Sequence, residues 1–333
     1  MNAAAVRRLV PATVRRLIGG RRASGTAARI ERELDALARH RGPIVAGPWL
    51  GEVGFELLYW VPFLAWFAER YAVAPGRLTV ISRGGTREWY HGIAAYHDVF
   101  EAVDAATFRS GHEARIRELG EQKQRQSTAF DGDLVAAISA RAGLADAQLL
   151  HPSTMFELMS PYWWGHADED WVFRYARYRR LPRPSAPADV PLPASYSAVK
   201  FYFNDCFPDT PANRRFVEAA VDALAQEGPV VSLNLALQVD EHHGPDVAGR
   251  RVTTVPHIDA TRNLAVQSAV VAGARQFAGT YGGFSYLAPF YGVPTMAYYA
   301  DAGGFSARHL TLARAALASI GAGGLLQIQD TVN

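Results

Sequence analysis

Short apolar runs alternate with longer amphipathic stretches along this chain, and one segment interrupts them: Leu181–Ala194, with five prolines and almost no large apolar residue. The alternation is that of βαβ units, in which each crossover helix returns the chain to lay a new strand parallel to the last. A proline has no amide donor and a fixed backbone angle, so the interrupting segment cannot form a core element and reads as an interdomain linker. A length of 333 residues fits two domains. The expectation is an α/β chain of two Rossmann-like domains facing a cleft. A basic helical extension would cover 1–41, a first domain 42–185, and a second domain 196–333 ending in a closing helix.

In the first series, Pro43–Trp49, Leu78–Ser82, Phe100–Val103 and Gln148–His151 read as strands, and Phe55–Tyr71, Glu113–Gln124 and Leu134–Ala142 as helices. In the second, strands at Ala198–Phe203, Pro229–Leu233, Gln276–Gly279 and Thr295–Tyr299 alternate with helices at Asn213–Gln226, Thr261–Ala272, Ser285–Tyr291 and Ala307–Ile320.

Charge and cysteine content narrow the function. Six arginines of a chain with net charge +2 fall within Met1–Arg22, which leaves the remainder at −4 and gives no basic body for nucleic acid. A single cysteine, Cys206, excludes a disulfide framework and a multi-cysteine metal site, and suits the cytoplasm. Ala5–Leu17 interleaves apolar residues with arginine pairs, either a helix resting on the inner face of an anionic membrane or a frayed basic terminus. No apolar stretch long enough for a secretory signal follows the arginines. The longest apolar run elsewhere, Leu57–Phe67, is roughly half of the ~20 residues a spanning helix needs.

Two segments carry the chemistry. In Phe277-Ala-Gly-Thr-Tyr-Gly-Gly-Phe-Ser-Tyr-Leu-Ala-Pro, followed by Gly292-Val-Pro, a strand meets a glycine turn and a helix. Gly282 and Gly283 admit close backbone approach, and the amides that open the helix make an anion site suited to a diphosphate. The plainer reading is a strand-to-helix turn capped by Ser285. The other segment is Gly47-Pro-Trp-Leu-Gly-Glu-Val-Gly-Phe-Glu-Leu-Leu-Tyr-Trp-Val-Pro. Its loop, Gly51–Gly54, stands at the carboxyl end of the first strand, where doubly wound domains bind ligands.

These segments resemble GT-B glycosyltransferases, especially the heptosyltransferase-like ones. Gly279, Gly283, Ser285, Leu287, Ala288 and Pro294 match in register the motif with which that group holds the donor's diphosphate. Tyr281 and Tyr286 stand where the group has Asp and His, so its exact donor does not carry over. The group also has a glycine loop, an acidic catalytic base and a proline six residues beyond it. Glu56 lies six residues before Pro62; Glu52, in the loop itself, is the rival. Both glutamates have a plainer role available, favouring the helix N-terminus through its dipole.

The resemblance implies transfer of a sugar from a nucleotide-sugar donor to a glycan or lipid-linked acceptor, with no metal and no cofactor. Inversion follows if a glutamate is the base. Sugar-nucleotide epimerases and polysaccharide pyruvyl transferases share the plan, and a non-catalytic nucleotide- or glycan-binding subunit is a further alternative.

Donor-side candidates are Lys200, Asn204, His257, Thr280, Tyr281, Gly282, Gly283 and Ser285; Gly51, Gly54 and His151 are acceptor-side candidates. Lys200 interrupts an apolar strand, as a cation for the phosphates or as a lysine snorkelling from an edge. Asp131-Gly-Asp133 and Asp168-Glu-Asp170 have the Asp-x-Asp form of metal-dependent transferases. Asp133 looks like a helix cap, however, and the second triplet follows no strand. His242-His243 reads as a solvated loop.

Overall fold

Two all-parallel sheets organise the computed structural model, which describes residues 12–74, 76–144, 146–233, 245, 252–255 and 258–331. In the first sheet, β1 (Ile44–Ala46), β2 (Leu78–Ser82), β3 (Ala95–Asp98) and β4 (Gln148–Leu150) lie in the order β3-β2-β1-β4. β1 and β2 are buried throughout, as strands covered on both faces must be. The second holds β5 (Ser197–Lys200), β6 (Val230–Ser232), β7 (Val252–Thr254), β8 (Gln276–Thr280), β9 (Thr295–Tyr299) and β10 (Leu326–Asp330), in the order β10-β9-β8-β5-β6-β7. Strand order therefore reverses between β1 and β4 in one sheet and between β5 and β8 in the other. At such switch points the connections leave in opposite directions and open a crevice beyond the carboxyl ends of the strands.

Among the described residues, seven helices accompany the first sheet: α1 (Ala12–Arg39), α2 (Val53–Phe55), α3 (Val61–Arg70), α4 (Ala105–Leu119), α5 (Ala129–Ala142), α6 (Pro152–Trp163) and α7 (Glu169–Arg174). The second has α8 (Pro211–Glu227), α9 (Asn263–Gly273), α10 (Gly283–Phe290) and the closing helix α11 (Ala307–Ser319). Several elements depart from expectation. The strand expected at Phe100–Val103 forms earlier, as β3, because Asp98 and Glu101 close a tight capping box over Val99–Glu101. The helix expected at Glu113–Gln124 instead begins after Asp104, which accepts the Thr107 amide at 2.7 Å, and ends at Gly120 in the left-handed conformation. The sequence reading had no place for β7, β10, α6 or α7.

From Ala23 onward α1 is packed, with Ala23, Ala27, Ile30 and Leu34 buried at helical spacing and Arg29 reaching Glu157 of α6 at 2.5 Å. Between α2 and α3 the backbone passes through a π-helical turn, Glu56–Trp60. Pro62 has no amide for the Leu58 carbonyl, and the Tyr178 hydroxyl donates to it instead, at 2.8 Å. The proline-rich stretch 181–194 has no helix or strand; it is pinned where the Leu181 amide donates to the Phe290 carbonyl at 3.1 Å.

The two sheets share one continuous apolar core. Gly84, at a positive φ of 72°, carries its loop onto the start of α9, where a Cβ would lie 2.9 Å from Leu264. Trp89 donates to the Ser268 hydroxyl of α9 at 3.2 Å. α11 crosses back to the first half: His309 Nδ1 is 2.6 Å from the Tyr59 hydroxyl, and Tyr162 donates to the Arg308 carbonyl. No helix among the described residues is long and apolar enough to cross a membrane.

Candidate functional site

A cavity of about 1000 Å³ lies between the carboxyl ends of the two sheets, lined from both halves. The first wall is built on the loop after β1. Gly47 has a φ of 135°, and a Cβ there would meet the Ile81 carbonyl at 2.5 Å, so only glycine lets the chain turn across β2. Gln124 clamps the next residues, accepting the Leu50 amide and donating to the Pro48 carbonyl, both at 2.8 Å. Arg83 Nη2 holds the Gly51 carbonyl at 2.6 Å. This fixed loop presents Gly51, Glu52 and Gly54 to the cavity. Glu52 is exposed, and its side chain makes no capping bond to α2.

Glu56 and His151, expected at the site, lie outside it. Glu56 is completely buried and does not line the cavity. One carboxylate oxygen accepts from Ser82 at 2.6 Å and Tyr90 at 2.5 Å; the other has no hydrogen-bond partner among the described residues. Burial raises its pKa to about 7, against the field of Arg83. His151 caps α6 by accepting the Ser153 amide at 3.1 Å, and burial lowers its pKa to about 4. It too is absent from the cavity wall.

The proton of Glu56 has a consequence for stability. Folded protein keeps it to about pH 7, whereas the unfolded chain releases it near 4.5. Stability from this group is therefore full below pH 4.5 and is lost as pH rises through 7, by an amount on the order of 3 kcal/mol. Asp98, raised to about 6 by burial, adds to the same slope. Glu56→Gln should remove its own share. Urea melts of both proteins across this window measure it, and an unchanged slope in the variant would rule Glu56 out as its source.

The second wall surrounds the switch point between β5 and β8. Lys200 ends β5, a central strand, which overturns the reading of a lysine snorkelling from an edge. Its Nζ donates to Gln267 at 2.8 Å and stands 4.6 Å over the Phe284 ring, at the cavity wall. Asn204 also lines the cavity, and its side chain shapes its own loop by accepting the Cys206 and Phe207 amides at 3.0 and 2.8 Å.

Tyr281, Gly282 and Gly283 line the cavity, but the glycines are required by protein neighbours. A Cβ at Gly282 would collide with the Tyr202 hydroxyl, and one at Gly283 would lie 2.6 Å from the Gly54 amide nitrogen. Thr280 and Ser285 are buried behind the wall. Thr280 ties β8 to Tyr202, accepting its amide at 3.0 Å and donating to its carbonyl at 2.8 Å. Ser285 donates to the Gly282 carbonyl at 2.6 Å, the plain turn-capping role. Tyr286 donates to the Tyr281 hydroxyl at 2.5 Å, which leaves the Tyr281 proton available; burial pushes Tyr281 to about 12. His257 and His242-His243 lie outside the described residues.

Sequence reasoning missed Arg83, Arg109, His112, Lys123 and His309, all on the cavity wall. Arg83 directly follows β2, so its position at a strand's carboxyl end was a usable signal. Phe108, Arg109, His112, Glu113 and Ile116 form one face of α4, legible only once that helix is seen to begin at Asp104. Neither Asp-x-Asp triplet lines the cavity. The helix cap expected at Asp133 is Thr128, in a capping box with Asp131, and Asp168 precedes α7. Among the described residues no three His, Cys, Asp or Glu side chains are grouped to hold a metal ion.

No family model matches the chain, and no curated protein matches it in sequence. Among solved structures it is similar to the iron-containing dodecameric glycosyltransferase TibC from enterotoxigenic E. coli H10407, at 13% identity and a TM-score of 0.43, over 78% of this chain and 58% of that one. It is also similar to E. coli ADP-heptose LPS heptosyltransferase II, at 11% identity and a TM-score of 0.41, over 80% and 88%. A glycosyl transferase family 9 protein from Veillonella parvula DSM 2008 gives 11% and 0.43, over 89% and 87%. The chain thus spans little more than half of TibC, and similarity this low carries neither a residue's role nor an activity across.

Proposed function

We propose that the chain is a glycosyltransferase of the GT-B plan, moving a sugar from a nucleotide-sugar donor to a glycan or lipid-linked acceptor with inversion and without a metal. The observation that best supports this is a single cavity shared by both switch points, with Glu52 on one wall and Lys200 beside the start of α10 on the other. Donor diphosphate lies against Lys200 and the opening amides of α10, where an ammonium and a helix dipole stabilise the charge that develops on departure. The neutral Tyr281 hydroxyl, already accepting from Tyr286, donates to a phosphate oxygen. Glu52 takes the acceptor hydroxyl's proton as that oxygen bonds to the anomeric carbon. The bond from this carbon to the phosphate oxygen breaks, and its electron pair leaves with the nucleoside diphosphate. Attack from the Glu52 wall and departure toward Lys200 engage opposite faces of the sugar, hence inversion. With a lipid-linked acceptor, the arginines of Met1–Arg22 supply charge for peripheral contact with the inner membrane face.

Thermal shift across a panel of sugar nucleotides, followed by assay for free nucleoside diphosphate in EDTA, tests this reading. One donor should stabilise the fold by about 2.7 kcal/mol at a hundred times its Kd, and nucleoside diphosphate should appear by transfer or slow hydrolysis. Binding without release would make the chain a binding subunit, and a changed sugar on an intact nucleotide would make it an epimerase. Release abolished by EDTA would overturn the metal-free mechanism.

A further inference from the structure

Arg83 lines the cavity yet is only 6% exposed. Its Nη2 is used on the Gly51 carbonyl, its buried Nε has no hydrogen-bond partner, and it joins no ion pair among the described residues. The Glu56 carboxylate feels its field but is already bonded to Ser82 and Tyr90, and burial moves it toward its neutral form. A guanidinium stays charged, and burying one without a counter-ion is costly.

The neighbouring face of α4 carries Arg109 and His112, and His112 Nδ1 is likewise buried without a hydrogen-bond partner among the described residues. Burial, then Arg83 and Arg115, lower the His112 pKa to about 4, so it is a neutral hydrogen-bonding group. Lys123 completes the wall, its Nζ 4.8 Å from the centre of the Phe55 ring. The acids on this wall, Glu52 and Glu113, are both exposed.

We infer that Arg83, Arg109, His112 and Lys123 form a second anion site, which holds a phosphate or carboxylate group of the acceptor on the wall opposite Lys200. Arg83 grips the carbonyl immediately before Glu52 and lines the cavity, so an anion held by its guanidinium places the acceptor beside the base. That the anion belongs to an acceptor rests on the glycosyl-transfer reading. The site itself does not, and its test reads binding alone.

Calorimetric titration of the full chain with inorganic phosphate and, separately, with glucuronate distinguishes the two anion sources. At least one should bind saturably, and that heat should survive Lys200→Gln, which removes the cation of the opposite wall. Arg83→Gln and Lys123→Gln should each weaken it by about tenfold or more, the equivalent of one charge-assisted hydrogen bond. Arg83→Lys should retain part of it. Circular dichroism checks the fold, and if Arg83→Gln unfolds the chain, the partly exposed Lys123 carries the test. No saturable binding of either anion, undiminished affinity in Lys123→Gln, or loss only in Lys200→Gln would each overturn the proposal. An inactive chain that still binds through Arg83 would refute the transfer reading and keep the site.

Discussion

A Glu52→Gln chain is expected to lose about 10²- to 10⁴-fold in kcat, the usual contribution of a general base, with its melting temperature lowered by at most about 4 °C. Glu52 is exposed, makes no capping bond, and stands on a loop clamped by other groups, namely Gln124 and Arg83. Nothing in the fold depends on its charge beyond a helix-dipole contribution of about 0.3–1 kcal/mol. Donor KM should hardly move, because in the proposed mechanism the carboxylate acts on the acceptor hydroxyl. Glu56→Gln should behave in the opposite way, with turnover within about tenfold of the parent and a visible change in pH-dependent stability. Steady-state release of nucleoside diphosphate measures both. Full activity in Glu52→Gln would remove it as the proposed base, and an inactive Glu56→Gln would mean that the cavity reaches deeper in the working protein.

This contrast also marks where the sequence stopped being readable. Leu78–Ser82 and Thr295–Tyr299 were legible to the residue, because a short apolar run bounded by turn residues in a βαβ series fits a parallel strand, buried throughout in the first and in part in the second. The glycine loop after β1 and the turn after β8 were legible for a similar reason: carboxyl ends at switch points are where such sheets bind. Roles within those segments depended on contacts between residues far apart in sequence. Glu52 and Glu56 are four positions apart, yet one faces the cavity and the other bonds to Ser82 and Tyr90. Lys200 had two readings until β6 and β8 placed its strand in the middle of a sheet. The Arg83 site was hidden more completely, since its members come from the loop after β2, from α4 and from the loop beyond it, and no local pattern joins them.

Gly283→Ala should damage catalysis more than stability. Its Cβ would lie 2.6 Å from the Gly54 amide nitrogen and 2.9 Å from the Val53 Cβ, and Gly54 in turn would place a Cβ 3.3 Å from the Gly283 Cα. The two glycine turns meet back to back, with backbone on both sides, so no flexible side chain can swing away. Relief requires the walls to separate by a fraction of an ångström or more, at a cost of about 1–3 kcal/mol typical of overpacking. Gly54 is two residues from Glu52, and Gly283 opens the helix proposed to hold the diphosphate, so the same displacement pulls the proposed base from the proposed donor site. Misplacement by about 1 Å can cost on the order of 10² in rate. Gly132→Ala supplies the contrast: it lies within α5 with nothing beyond its own stretch of helix backbone within 4 Å of the added methyl, and should stabilise by up to about 1 kcal/mol while leaving kcat alone. Melting temperature and kcat of the two variants decide the point. A Gly283→Ala chain with parental turnover would show that the halves do not stand this close when the sugar is transferred.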